Sequence, residues 1–162
     1  MIVLTKVSEV IDSIYELDCK AYPDEITSKQ WYLDRYDGRE SVFVYLIDNR
    51  IVGYLAVMDV DKRFVDALMN GVLDGDFVVS NNMFKGDGNH YYIGSCVVEE
   101  QHRHKGVFHE LLNAALEMFE NKNLYALTNS RTTIPLINHG FRLECINGHY
   151  KTLSRIVIQN KK

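Results

Sequence analysis

The amino-acid sequence predicts an α/β domain, a mixed sheet with helices packed on its faces. Three observations carry that prediction. At 162 residues the chain is one domain's worth, long enough to bury a hydrophobic core without disulfide or metal staples. Apolar residues make up 46% and charged residues 25%, which excludes disordered, collagenous and low-complexity classes. Runs rich in β-branched and aromatic residues alternate with segments of helical period, with no internal repeat and no Pro/Ser-rich linker.

The elements follow in order. Residues 2–5 read as a short first strand. Ser8 is placed to cap a helix with an apolar face of Val10, Ile11, Ile14 and Leu17, ending near Tyr22-Pro23. Thr27 or Ser28 caps a second helix carrying Trp31, Tyr32 and Tyr36, which Asp37-Gly38 stops. Residues 42–47 and 51–58 are β-rich runs around Asp48-Asn49-Arg50, a hairpin signal. Residues 60–90 form an irregular insert: Phe64, Val65, Leu68, Met69 and Val72 recur at helical spacing before a Gly, Asp and Asn-rich stretch. Then come a buried-strand candidate at 91–98 and a helix at 106–120, with Val107, Phe108, Leu111, Leu112, Ala115, Met118 and Phe119 as its apolar face. A strand at 124–128, a short helix at 132–138 capped by Gly140, and a hairpin of 141–146 with 150–158 through Asn147-Gly148 close the chain.

Composition also excludes functions. A net charge of −4 argues against wholesale binding to nucleic acid or anionic membrane. Cys19, Cys96 and Cys145 are scattered, without a C-x-x-C spacing, as in a cytoplasmic protein with reduced thiols. The first residues are too briefly apolar for a signal sequence, and no apolar run approaches the roughly twenty residues of a membrane span. Ten Tyr, seven Phe and one Trp leave more rings than a core of this size obviously needs.

The stretch that carries chemistry is Val97-Val98-Glu99-Glu100-Gln101-His102-Arg103-His104-Lys105-Gly106-Val107. A strand ends, a basic turn follows, and a glycine opens a long helix. Helix starts leave backbone N–H groups unpaired and carry partial positive charge, so this arrangement suits a phosphate. Arg103 and Lys105 add full charges. The plain alternative is a solvated helix start whose charges face water. His102, His104 and His109 lack the spacing of a metal site, so no metal is expected.

This segment resembles the pyrophosphate loop of the GNAT superfamily of acyl-CoA-dependent N-acyltransferases, Arg/Gln-x-x-Gly-x-Gly/Ala, on which Arg103-His104-Lys105-Gly106-Val107-Phe108 falls. Leu127-Thr128-Asn129, a short helix and Gly140-Phe141 are similar to the family's second signature, and the element order matches. Departures are Phe108 in place of Gly or Ala, His104 where Gly is frequent, Glu100 in place of Pro, and Leu136 where many members place a Tyr that protonates the departing thiolate.

The resemblance implies a GNAT-like fold with a largely antiparallel central sheet and helices on both faces. It also implies transfer of an acetyl group from acetyl-CoA to an amine by direct attack in a ternary complex. Cys96, Val97 and Val98 would pair with pantetheine, and Val98 N–H would polarise the thioester carbonyl. Residues from Arg103 through His104, Lys105, Gly106, Val107 and Phe108 would hold the pyrophosphate, and Asn129 the pantetheine. The base position of several members falls on Tyr92, whose alternative reading is a core or pocket-wall tyrosine; Glu99 and His90 are chemically better bases, because a phenol of pKa near 10 is poor at neutral pH, but are worse placed by analogy. For the departing thiolate, Tyr125, Tyr150 and water are the candidate donors, and with a free thiol pKa of about 8.5 the thiolate is also a tolerable leaving group without one. Trp31 and Tyr32, with Tyr36, Phe64, Phe77 and Phe84, are candidates to line the acceptor pocket. Asp24, Glu25, Asp59, Asp61, Asp74, Asp76 and Asp87 form either its acidic rim or a solvated loop.

The expected partners are acyl-CoA and an amine-bearing small molecule or peptide, not nucleic acid or membrane, and a homodimer is compatible with the chain. A non-catalytic acyl-CoA-binding module, with the acid Tyr lost, is the alternative reading. A nucleotide-binding domain using the same turn is a third.

Overall fold

The computed structural model describes residues 1–24, 28–36, 39–71, 85–128, 132–147 and 150–156, the side chains of Asn147 and Tyr150 excepted. The elements are β1 (Ile2–Lys6), α1 (Val7–Ala21), α2 (Lys29–Arg35), β2 (Glu40–Ile47), β3 (Arg50–Asp59), α3 (Lys62–Met69), β4 (His90–Val98), α4 (Val107–Met118), β5 (Asn123–Thr128), α5 (Thr133–Asn138), β6 (Arg142–Asn147) and β7 (Tyr150–Arg155). The seven strands run in the order β1-β2-β3-β4-β5-β7-β6; β4 with β5 is a parallel pair, and β1–β2, β2–β3, β5–β7 and β6–β7 are antiparallel. This is the mixed, largely antiparallel sheet that the sequence led us to expect. By contacts the chain divides into two units, Met1–Met58 with Gly94–Met118 and Asp59–Ile93 with Phe119–Lys162.

In the first unit β2 and β3 form a hairpin whose turn residues, Asp48 and Asn49, both have positive φ, 49° and 60°. That turn geometry matches the right-handed twist of the strands, and Asn and Asp tolerate it best after glycine. Neighbouring residues of β3 point to opposite faces. Tyr54 reaches Asp18 of α1, while a Cβ added to Gly53 would lie 3.2 Å from Val107 Cγ1 of α4. Helices α1 and α4 therefore cover opposite faces of this part of the sheet. The core beneath them is Ile14, Val42, Val52, Leu55, Leu111 and Leu112, each fully buried.

Two helix ends differ from expectation. Helix α1 starts at Val7, directly after β1, with Lys6 at the N-cap and no side-chain cap, so Ser8 lies inside the first turn. Burial of Val7 fixes that start, and Val10 and Ile11 are only partly covered. Helix α4 ends at Met118, which is half exposed, so its apolar face is narrower than the sequence pattern predicts. Helix α2 keeps its predicted cap, with Ser28 Oγ accepting from Trp31 N–H at 3.2 Å.

In the second unit α3 occupies the helical stretch expected within the insert. Asp61 caps it by accepting from Phe64 N–H at 3.1 Å. Its ring neighbour is Tyr92 of β4, with Phe64 and Tyr92 centroids 4.9 Å apart. At its far end Leu68 C=O accepts from Thr152 Oγ1 at 3.0 Å. Helix α5 carries Pro135 in its first turn, where a missing N–H costs nothing. It closes with paired bonds, Phe141 N–H to Leu136 C=O at 3.1 Å and Gly140 N–H to Ile137 C=O at 3.0 Å, around Gly140 at φ +88°. No helix among the described residues is long and apolar enough to cross a membrane.

Candidate functional site

Strand β4 departs from expectation in a way that matters for the site. Its sequence reads as a buried strand, yet of its nine residues Val97 alone is fully buried. The parallel ladder with β5 pairs His90 with Asn123, Tyr91 with Leu124, Tyr92 with Tyr125 and Ile93 with Ala126.

Beyond Val98 the chain makes a 3-10 turn at Glu100–His102 and a polar loop before α4. Positive φ at His104, 61°, and again at Gly106, 85°, curls this backbone in the manner that builds an anion-holding concavity. Arg103, His104, Lys105 and Gly106 are exposed, and nothing lies within 4 Å of a Cβ placed on Gly106. Space is therefore not what demands glycine there; the left-handed backbone is. Gly106 C=O accepts the first intrahelical bond, from Glu110 N–H at 3.0 Å. Val107 is buried and anchors the helix start, and Phe108 is half-buried.

The turn is braced from both ends. Arg103 Nε donates to Val98 C=O at 3.0 Å, joining the loop to the strand end. Arg50 makes a two-pronged pair with Glu99, at 2.7 and 2.8 Å, and Gln101 Nε2 adds a third bond to that carboxylate at 2.9 Å. Backbone bonding agrees, Glu99 N–H reaching Val52 C=O at 2.8 Å. These donors, Arg50 first, pull the Glu99 carboxyl down to about 2. A carboxylate so held is a weak proton acceptor at neutral pH.

The other predicted residues fall out as follows. Tyr92 stacks on Phe64 as a partly exposed ring. His90 Nδ1 meets Tyr125 Oη at 3.0 Å, and Tyr125 is buried, its phenol raised first by burial. Both are thus partners of each other near the start of β4, not at its end. Cys96 is a thiol pushed up to about 12 by burial and by Asp18, so its part in any site is through its backbone. Tyr32 is buried, with its hydroxyl donated to Asp18, and Tyr36 and Phe64 are buried too. Trp31 is half-buried and stacks edge-on to Tyr32, with the Arg35 guanidinium 4.2 Å from its ring. Of these four rings only Trp31 retains a surface to offer an acceptor. Asn129, Phe77, Phe84, Glu25, Asp74 and Asp76 lie outside the described residues, as do Thr27, Asp37-Gly38 and Gly148.

Of the described acids Asp24 is exposed, and the other three serve the backbone. Asp59 accepts from Gly88 N–H at 3.3 Å, Asp61 caps α3, and Asp87 accepts from Asn89 N–H at 3.1 Å. Leu136, in the place of the family's acid, is buried in α5. Among the described residues no group of three His, Cys, Asp or Glu side chains is arranged to hold a metal ion.

Sequence reasoning missed Asp18. It sits four residues after Ile14 on the apolar stripe of α1, and an acid on such a stripe is the signal that a buried polar partner awaits it.

The model of the acetyltransferase (GNAT) family matches residues 11–141, and the chain belongs to that family. Solved structures of the same fold include the loading GNATL domain of CurA from Lyngbya majuscula, at 12% identity, TM-score 0.73 and 95% coverage of both chains. An aminoglycoside 6'-N-acetyltransferase complexed with coenzyme A is similar at 8% identity and TM-score 0.70, over 100% of this chain and 99% of that one. Arabidopsis thaliana Naa50, in complex with a bisubstrate analogue of CoA and a peptide, is similar at 15% identity and TM-score 0.67, over 96% and 99%. No curated protein matches by sequence.

Proposed function

We propose that this chain moves an acetyl group from acetyl-CoA to an amine by direct attack in a ternary complex. The observation that carries the proposal is the loop of positive φ at His104 and Gly106 opening α4, tied by Arg103 to the end of β4. That loop offers backbone N–H groups and two cations to a pyrophosphate. In this reading the backbone of Cys96, Val97 and Val98, at the end of β4 next to the turn, bonds the pantetheine arm, with Val98 N–H toward the thioester oxygen. Complexes with CoA in the aminoglycoside acetyltransferase and with a CoA-peptide analogue in Naa50 support this ligand class. The free state of all three cysteines agrees with a reducing cytoplasm.

Calorimetry with acetyl-CoA, with ATP as control, tests the cofactor. Gly106→Glu should weaken acetyl-CoA about tenfold or more by setting an anion at the pyrophosphate; unchanged affinity would remove the loop from the site. Thiol release against peptides, polyamines, amino acids and aminoglycosides tests the transfer.

A second reading, an acyl-CoA-binding module without catalysis, is favoured by Glu99, whose carboxylate is committed to Arg50, and by Leu136 in place of an acid. In the catalytic reading Tyr92, acting through water, is the candidate base. Tight binding without thiol release across the panel selects the module.

A further inference from the structure

Residues 94–98 end β4 beside the basic turn. A strand end needs a tether if its backbone is to meet a ligand in one fixed geometry. Four side chains supply it. Asp18 of α1 accepts from the hydroxyls of Tyr32 and Tyr54, the latter at 2.6 Å, and Tyr54 Oη meets Ser95 Oγ of β4 at 2.8 Å.

Counting hydrogens fixes the direction of this chain. An ionised Asp18 only accepts, so the single Tyr54 proton points to Asp18 and the Tyr54 oxygen accepts from Ser95. Tyr54 is fully buried, which keeps water from competing for either bond. The strand is also pressed close at this point: a Cβ on Gly94 would lie 2.0 Å from Met58 Cε and 3.0 Å from Tyr36 Oη. The groups facing Asp18 are Tyr32 of α2, Tyr54 of β3 and Cys96 of β4, with Ser95 of β4 and Tyr36, the C-cap of α2, beside Tyr54.

We propose that Asp18 is a positioning residue for acyl-CoA: through Tyr54 and Ser95 it fixes residues 94–98 so that pantetheine and thioester meet a preset strand edge. The proposal rests on reading those residues as the pantetheine edge. Ser95 stands three residues before Val98, too far along the strand for Asp18 to touch the reacting atoms, so its action is on geometry.

The test uses the full chain with Tyr54→Phe, Ser95→Ala and Ser95→Thr, titrated by calorimetry with acetyl-CoA and with 3'-phospho-ADP, the nucleotide half of CoA. Tyr54→Phe and Ser95→Ala should each weaken acetyl-CoA about threefold to tenfold, the effect of one buried hydrogen bond, and leave 3'-phospho-ADP unchanged. Ser95→Thr, which keeps the hydroxyl, should restore acetyl-CoA affinity. Wild-type affinity for acetyl-CoA in both deletion variants overturns the proposal, as does an equal loss for both ligands, which would assign the network to folding. Failure of the unmodified chain to bind acetyl-CoA overturns the underlying reading together with it, and is told apart because it appears before any substitution is made.

Discussion

Glu99 shows how one residue's surroundings decide its chemistry. On paper it is an acid beside the expected acyl site. In the fold it is the counter-ion of Arg50 and a hinge post for the basic turn. Its carboxyl falls from an ordinary 4.5 to about 2, so its contribution to stability is present above pH 4.5 and disappears as pH drops through about 2. Glu99→Gln should therefore lower the urea midpoint at pH 7, and the gap from wild type should close on acidification toward pH 2. A gap that stays constant with pH would show that the pair contributes nothing through charge. Asp18 shows the converse: burial raises its carboxyl, while the Tyr32 and Tyr54 hydroxyls oppose the rise. Neither environment was legible in the sequence, because Asp18 meets Tyr54 and Arg50 meets Glu99 across 36 and 49 residues. The turn at Arg103 to Gly106 was legible because its chemistry is local, a basic strand-to-helix connection with a glycine.

Helices and strands were read correctly wherever period and punctuation agreed. The β2–β3 hairpin and the Gly140 stop of α5 are set by turn chemistry within a few residues. The Ser8 cap failed because β1 runs straight into α1, and tertiary burial of Val7 outweighed the preference of serine for a cap. For β4, an apolar run could not disclose that Val97 alone of its nine residues is fully buried. Caps yield a quantitative expectation. Asp61 holds the first turn of α3, a helix of eight residues too short to persist alone. Asp61→Ala should cost about 1 kcal/mol in urea unfolding. A neutral result would mean that the packing of Phe64 and Leu68 alone secures the helix.

For the molecule as a whole, ligand binding and stability are linked. Acetyl-CoA at one hundred times its dissociation constant should stabilise the folded chain by about 2.7 kcal/mol, or roughly 5–10 °C in midpoint for a protein of this size. A melt unmoved by acetyl-CoA would contradict the proposed ligand. The two compact units bear on a different question, how the chain reaches its fold. Each is assembled from two separated stretches, and the boundary between them passes through β4. A chain emerging from the ribosome cannot complete the first unit until residue 118 has been made, nor the second until β7 has followed. Folding thus waits on distant partners, which makes it slow for a chain of this length and exposes unpaired strand edges during synthesis.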